Sequence, residues 1–434
     1  MHKLKYLLLI TLAFQIISSC KKTSEKEIVK DPVVLTPPET LKTVYPLNTL
    51  DSLSSINKTT SWYNTNKSFD QLFNVHRSLY WGFEVTANGL KPYNTSTTNT
   101  WSANKSYYWN DLGAYLYTDL TGDGKKDLWA YYWKNPWPTN APGLHLFSEY
   151  ESYPSIYDLQ PGLVQVRKNV LADLNNDKKN EIVLFSSGYD RMPFPGDQIG
   201  IFHVAERRYE YLTADIGYFH GGATGDINND GLIDIVAYSG WSSIIPIHPT
   251  AYINKGGGNM ELSNQLFKGF NTTDDNYYTV ELFDINKDGS LDLFLGGSGK
   301  LNIIIQKNKE YIRQEFIPIP IGNNLEVIDI AFMDFNWDGN MDVLTMSNKN
   351  GYQGYELNLF QNTGTGFKDV TSSYFDIYSA TGKNSWIKWI HLFDYDKDGD
   401  IDVVGDGLFG DLMGTQGRKI WWKNNGGKFV QVME

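Results

Sequence analysis

The chain has 434 residues and one cysteine, Cys20, so no internal disulfide can staple it. No apolar run approaches the ~20 residues that span a bilayer as a helix. The longest, Tyr6 to Ile17, stops well short. After about Ser61 no long stretch repeats apolar residues at helical spacing, which argues against a helical bundle or coiled coil. Basic residues are outnumbered, 38 against 50 acids, for a net charge of −12, and no basic patch stands out. A nucleic-acid binder is therefore excluded as a class, because phosphate contacts need clustered lysine and arginine. There is no serine nucleophile elbow and no HExxH helix motif, and the seven histidines are scattered.

What is present is one acidic frame, six times over. It begins at Asp119, Asp173, Asp226, Asp284, Asp334 and Asp394, at steps of 54, 53, 58, 50 and 60 residues. The last copy, Asp394-Tyr395-Asp396-Lys397-Asp398-Gly399-Asp400-Ile401-Asp402, shows the frame most fully. Oxygen-bearing side chains fall at positions one, three, five and nine, with glycine at six. In order these are Asp119, Thr121, Asp123 and Asp127; Asp173, Asn175, Asp177 and Glu181; Asp226, Asn228, Asp230 and Asp234. The remaining three copies are Asp284, Asn286, Asp288 and Asp292; Asp334, Asn336, Asp338 and Asp342; and Asp394, Asp396, Asp398 and Asp402. Alternate residues of a tight turn can aim oxygens inward at a hard cation, and glycine permits the turn's positive φ. Up to six Ca²⁺ are expected. The second copy departs, with Lys178 for glycine and Glu181 for aspartate, which weakens the case for an ion there.

An EF-hand needs a glutamate at position twelve between two helices. Here position twelve is Ala130, Leu184, Ala237, Leu295, Thr345 or Gly405. Positions ten and eleven are apolar pairs such as Ile235-Val236 and Val403-Val404, which open a strand. Each loop thus joins two strands. In the last repeat, Trp386 to Phe393, the strand beginning at Asp402, Lys419 to Trp422, and Lys428 to Val432 read as four strands. The final pair is joined by the hairpin turn Asn424-Asn425-Gly426-Gly427. Similar turns recur at Asn254-Lys255-Gly256-Gly257-Gly258 and at Asn362 to Phe367. Four strands per ~50 residues, repeated, is the unit of an all-β β-propeller.

The repeats from about Lys105 to Glu434 resemble the FG-GAP/VCBS family, the calcium-loop repeats of integrin α-subunit propellers and many bacterial surface proteins. The resemblance implies that each loop joins the first two strands of a blade. It favours seven blades, with residues 61–104 supplying one that lacks an ion loop; six blades plus an N-terminal cap is the alternative.

Residues 1–19 carry Lys3 and Lys5 ahead of the apolar run and read as a signal peptide. Ile17-Ser18-Ser19-Cys20 resembles a bacterial lipobox, which implies lipidation at Cys20 and a lipoprotein of the cell envelope. Residues 20–60, with four prolines and little periodicity, read as a tether, and residues 61–434 as the propeller. Without residues 1–19 the charge is 36 basic against 50 acidic, a balance that bound cations would offset.

Antiparallel blades place the ion loops on one face and the loops between second and third strands on the other. The latter carry Trp133, Trp137, Tyr189, Arg191, Trp241, Tyr352 and Tyr355. Aromatics make up 15% of the chain, and tyrosine and tryptophan suit binding surfaces because they join a stacking face to a polar edge. A glycan-binding module is the favoured reading, with an envelope protein-interaction scaffold and a polysaccharide lyase or hydrolase as alternatives. His220, His391 and Glu281 are expected on the innermost strands, as core or channel residues.

Overall fold

In the computed structural model the described residues lie between 81 and 433. They are continuous over 166–188, 196–212, 217–239, 249–270, 277–349, 353–382, 398–406 and 420–433, with shorter pieces elsewhere. The fold is all-β, as expected; the helical segments among the described residues are the short turns Arg313–Glu315 and Thr371–Tyr374.

Three strands come first: β1 (Trp81–Thr86), β2 (Gly89–Asn94) and β3 (Ser106–Tyr108), in the order β2-β1-β3. This stretch overlaps residues 61–104, expected as a loop-free blade, and among the described residues it forms a three-stranded sheet with β1 in the middle. Next comes an antiparallel meander of β4 (Leu112–Thr118), β5 (Asp127–Tyr132), β6 (Leu144–Ser148) and β7 (Ser155–Leu159). The second blade is β8 (Val166–Ala172), β9 (Glu181–Ser186), β10 (Ile199–His203) and β11 (Arg208–Tyr211). The third is β12 (Phe219–Gly225), β13 (Asp234–Ser239), β14 (Pro249–Asn254) and β15 (Met260–Ser263).

After the short β16 (Phe267–Lys268), the fourth blade runs β17 (Tyr277–Phe283), β18 (Asp292–Gly297) and β19 (Lys300–Ile304). It passes β20 (Tyr311–Ile312), which pairs with β16, and ends in β21 (Ile317–Pro320). The fifth contains β22 (Leu325–Met333), β23 (Asp342–Lys349), β24 (Gly354–Asn362) and β25 (Phe367–Asp369), with β26 (Ser379–Thr381) added beside β24. The sixth is β27 (Trp389–Phe393), β28 (Asp402–Asp406), β29 (Ile420–Asn425) and β30 (Lys428–Met433).

The first strands of successive blades touch in the series β4, β8, β12, β17, β22, β27, so they form the inner edges of the blades. Burial follows from that placement. Strands β9, β13 and β18 are buried at every residue, because each is sandwiched between neighbouring sheets. The fourth strands β11 and β15 have no buried residue and face outward. This is why second strands read as unbroken apolar runs and fourth strands as polar ones.

Aromatic side chains fill the seams between blades. Phe283 stacks on Phe332 with ring centroids 4.4 Å apart, and Tyr355 meets Trp422 edge-on at 5.6 Å. Each fully buried ring contributes about 1.5–3 kcal/mol. At the inner edge the approach is closer: a Cβ on Gly221 would lie 2.8 Å from the Thr279 Cα, so only glycine lets β12 run against β17.

Candidate functional site

All six acidic loops join the first strand of a sheet to its second, as the sequence predicts. Where the loops are described in full, their hydrogen bonds repeat. The position-one carboxylate accepts the N–H groups of positions five and six: for Asp226 these come from Asp230 at 2.9 Å and Gly231 at 2.8 Å. Asp173, Asp284 and Asp334 do the same. The position-five Oδ1 accepts from the N–H of position seven in the second to sixth loops.

The turn needs left-handed backbone twice. Position six has φ of +88°, +88°, +86° and +101° at Gly231, Gly289, Gly339 and Gly399, and +72° at Lys178. Position four is also left-handed, at Asn176, Asn229, Lys287 and Trp337, which the sequence reading did not anticipate.

Position nine is buried and holds the blade together. Asp234 accepts the Asn254 N–H at 2.8 Å on one oxygen and the Ile227 N–H at 3.1 Å on the other. Asp292, Asp342 and Asp402 make the same pair of bonds, to Gln306 and Ile285, Asn362 and Phe335, and Asn424 and Tyr395. Burial, only partly offset by these N–H groups, pushes Asp234, Asp292 and Asp402 up to about 7 and Asp342 to about 8; neighbouring loop carboxylates add to the rise.

In the third to fifth blades an amide at or just past the end of the third strand reaches further. Asn254 Nδ2 donates to the carbonyl of Leu174, position two of the preceding blade's loop, at 2.7 Å, and to Ile233 in its own loop at 3.0 Å. Gln306 donates to Ile227 at 2.7 Å, and Asn362 to Ile285 at 3.3 Å and Met341 at 3.2 Å. Side chains at position four add a second link, Asn229 to Ser290 and Lys287 to the Gly339 carbonyl. The loops are therefore sewn into the joints between blades. Their signal lay in the sequence at Asn254 and Asn362, the first residues of expected turns, and at Gln306, which no turn pattern marks.

Asn228 Oδ1, at position three of the third loop, is buried and accepts no hydrogen bond. An orphaned oxygen beside Asp234, whose carboxylate is raised chiefly by burial, fits a hard cation. Among the described residues no three carboxylate, imidazole or thiolate groups already converge as a cage. Neutral amide and carbonyl oxygens would complete the set.

The other end of the first strands differs. Five of them, β4, β8, β12, β17 and β22, carry a β-bulge six residues before the loop, at Gly113, Arg167, His220, Tyr278 and Ile328. A bulge re-aims its side chain out of the ladder. Arg167, His220, Tyr278 and Ile328 are all half-buried, and His220, Tyr278 and Ile328 each lie between buried neighbours. His220 stacks on Tyr218 at 4.8 Å and meets Tyr278 at 5.7 Å. Burial, reinforced by the Arg167 charge, holds the His220 imidazole well below its ordinary value. Tyr278 donates to Glu326 at 3.4 Å.

Of the expected rim residues only Tyr355 lies among the described ones, and it is a correction. It is 1% exposed, packed on Trp422, with its hydroxyl accepting from Gln431 at 2.5 Å. As the second residue of β24, it turns into the seam between blades rather than onto a rim. Trp133, Trp137, Tyr189, Arg191, Trp241 and Tyr352 lie outside the described residues, as do Cys20, Asp119 and Asp394 and the Asp127 side chain. His391 and Glu281 are on innermost strands and buried, as expected.

Residues 226–295 and 284–345 match the family described as FG-GAP-like repeat, each match running from one acidic loop through the next. Residues 226–345 are FG-GAP-like repeats. No curated protein matches the chain. Among solved structures, an Agrocybe aegerita lectin described as recognising non-reducing terminal N-acetylglucosamine is 15% identical. It covers 82% of this chain and 88% of its own, with a TM-score of 0.45. The exotype rhamnogalacturonan lyase YesX is 12% identical over 74% of this chain and 71% of its own, at 0.39. BBS1N, in its complex with ARL6DN, is 8% identical over 74% and 82%, at 0.43. The FG-GAP-like repeats run from the acidic loop of the third blade into the second strand of the fifth, and include loops that make the joint bonds described above.

Proposed function

We propose that this chain is a calcium-stabilised propeller of the bacterial cell envelope that binds a glycan through the face opposite its acidic loops. FG-GAP-like repeats fit a propeller with a binding role. The observation that carries the reading is the division of labour along the first strands. One end feeds loops whose ninth-position acids bond within their own blade while the Asn254 and Gln306 amides cross to the neighbouring loop, which supports reading those loops as structural. The other end sets Arg167, His220 and Tyr278 at bulges on the first strands, where their half-buried side chains would offer aromatic faces and a charged anchor. Sugars present apolar C–H faces and hydroxyls, and such a mixture suits them. The second strands β5, β9, β13 and β23 finish beside those bulges, a few residues ahead of Trp133, Tyr189, Trp241 and Tyr352 in the sequence.

Calcium would be held by oxygens at positions one, three, five and nine and would neutralise carboxylates otherwise driven toward protonation. Lipid on Cys20 would hold the propeller at the membrane through residues 20–60. Labelling with an alkynyl fatty acid should mark the chain, and Cys20→Ala should abolish the mark.

The binding test is a broad polysaccharide array probed with the soluble chain from Lys22 in millimolar calcium. Retention of one glycan class, lost in Arg167→Ala and Tyr278→Ala variants that melt as the parent does, is the expected result. Binding untouched by those variants would move the site away from the bulges, and silence across the array would favour a protein partner. Chain shortening of a retained glycan would make the protein an enzyme.

A further inference from the structure

The sixth loop departs from the others in its cation chemistry. Position three is asparagine in the second to fifth loops but Asp396 here. In the second, fourth and fifth loops that asparagine donates its Nδ2 to Oδ2 of the position-five aspartate: Asn286 to Asp288 at 2.9 Å, Asn336 to Asp338 at 3.0 Å, Asn175 to Asp177 at 3.3 Å. A carboxylate at position three has no proton to donate, so Asp396 and Asp398 would face each other as like charges.

The loop backbone does not separate them. Among the described residues it reaches Oδ1 on each, through the N–H groups of Asp398 at 3.2 Å and Asp400 at 3.1 Å. Both Oδ2 atoms are left for a cation, and both are taken by the Lys423 ammonium. It pairs with Asp396 and stands 2.7 Å from Asp398.

Lys423 arrives there by strand register. Val403 pairs with Trp422, so Lys423 lies opposite Asp402, the ninth residue of the loop. The equivalent position is Ile253 in the third blade, Ile305 in the fourth and Gln361 in the fifth, none of them charged. The second blade, the other departure from the frame, has His203 there, with Nδ1 3.6 Å from Glu181.

We propose that the Lys423 ammonium, not a metal ion, is the resident cation of the sixth loop. It reaches the oxygens left over by the loop backbone, on a tether that costs no ion uptake, and it removes the like-charge contact that Asp396 introduces. The proposal rests on the reading that the third, fourth and fifth loops hold calcium, and it lowers the number of ions expected for the chain.

Two measurements on the full chain test it. The first is bound calcium per chain, by equilibrium dialysis and elemental analysis, for the parent and for an Asp396→Asn, Lys423→Met double variant that restores the frame of the other loops. The variant should hold one equivalent more; an equal count overturns the proposal. A parent that binds no calcium at all would instead remove the calcium reading of the other loops, while a single equivalent gained by the variant would still uphold Lys423. The second is melting in chelator: Lys423→Met should melt several degrees below the parent, and calcium should restore it. A Lys423→Met protein that melts with the parent in chelator would show the ammonium to be idle and would equally overturn the proposal.

Discussion

Lys168, on the first strand of the second blade, pairs with Glu281 on the first strand of the fourth, skipping the blade between them. Its ammonium also donates to the Val280 carbonyl at 3.0 Å. The two side chains are 11% and 2% exposed, so the pair is buried at the inner edges of the blades. Gly221 and Gly222 of the intervening strand present no side chain to block the reach. Burial raises Glu281 above the usual carboxylate range, with Lys168 opposing the rise, and Asp329 on β22 is pushed up to about 7 by its own burial.

Removing one member of a buried pair strands the other charge. Lys168→Met should therefore destabilise the protein by about 3–5 kcal/mol, while the double variant Lys168→Met, Glu281→Leu should recover much of that loss. Denaturant unfolding of the two single and the double variants measures it. Additive losses would show that the pair is not coupled.

The joint amides predict a graded series. Asn254→Ala leaves the buried Leu174 carbonyl, the half-buried Ile233 carbonyl and the Gly256 N–H without the Asn254 partner, and should cost about 1–3 kcal/mol. Asn259→Ala, at the exposed tip of the same hairpin, loses a solvent-facing bond to Gly256 and should cost less than about 0.5 kcal/mol. Thermal melts of both variants compare a bond across blades with a bond within one.

Lys178 holds position six of the second loop at φ +72°, where the third to sixth loops have glycine. A side chain in left-handed backbone costs about 1–2 kcal/mol. Lys178→Gly should therefore stabilise the protein by up to about 1 kcal/mol, the gain being trimmed by the entropy glycine returns to the unfolded chain. A melting temperature that falls would place a compensating contact on the Lys178 side chain.

The ninth-position aspartates set a pH dependence when no metal is present. Their folded values, about 7 for Asp234, Asp292 and Asp402 and about 8 for Asp342, lie above the unfolded value near 4. The folded state thus binds more protons between those limits. Its contribution to stability is complete below about pH 4 and is lost as pH rises through 7 to 8. In chelator, the melting temperature should fall between pH 5 and pH 8, and millimolar calcium should flatten that slope. A flat profile in chelator would mean that these carboxylates stay ionised and satisfied by their N–H partners.

Much of the architecture was readable before any coordinates. The loop frame, the apolar pairs after it and the Asn-Gly hairpins are local signals, and β5, β9, β13, β18, β23 and β28 all begin at the ninth residue of a loop. Local chemistry decides such features, because a glycine at φ near +88° or a turn asparagine acts on its immediate neighbours. The bulges were not readable. Arg167, His220 and Tyr278 share an offset from the loop but no residue type, and an extra residue in a ladder is defined only by its partner strand.

The chain alone settled the repeat and the all-β fold, since these follow from spacing, turn chemistry and alternation within some fifty residues. The rest was left to packing. Which amide crosses to the neighbouring loop, why Tyr355 turns into a seam, how Lys168 meets Glu281 and where the Lys423 ammonium comes to rest depend on residues brought together from 25 to 113 positions apart. Strand register and close packing make those meetings, and no local preference encodes them.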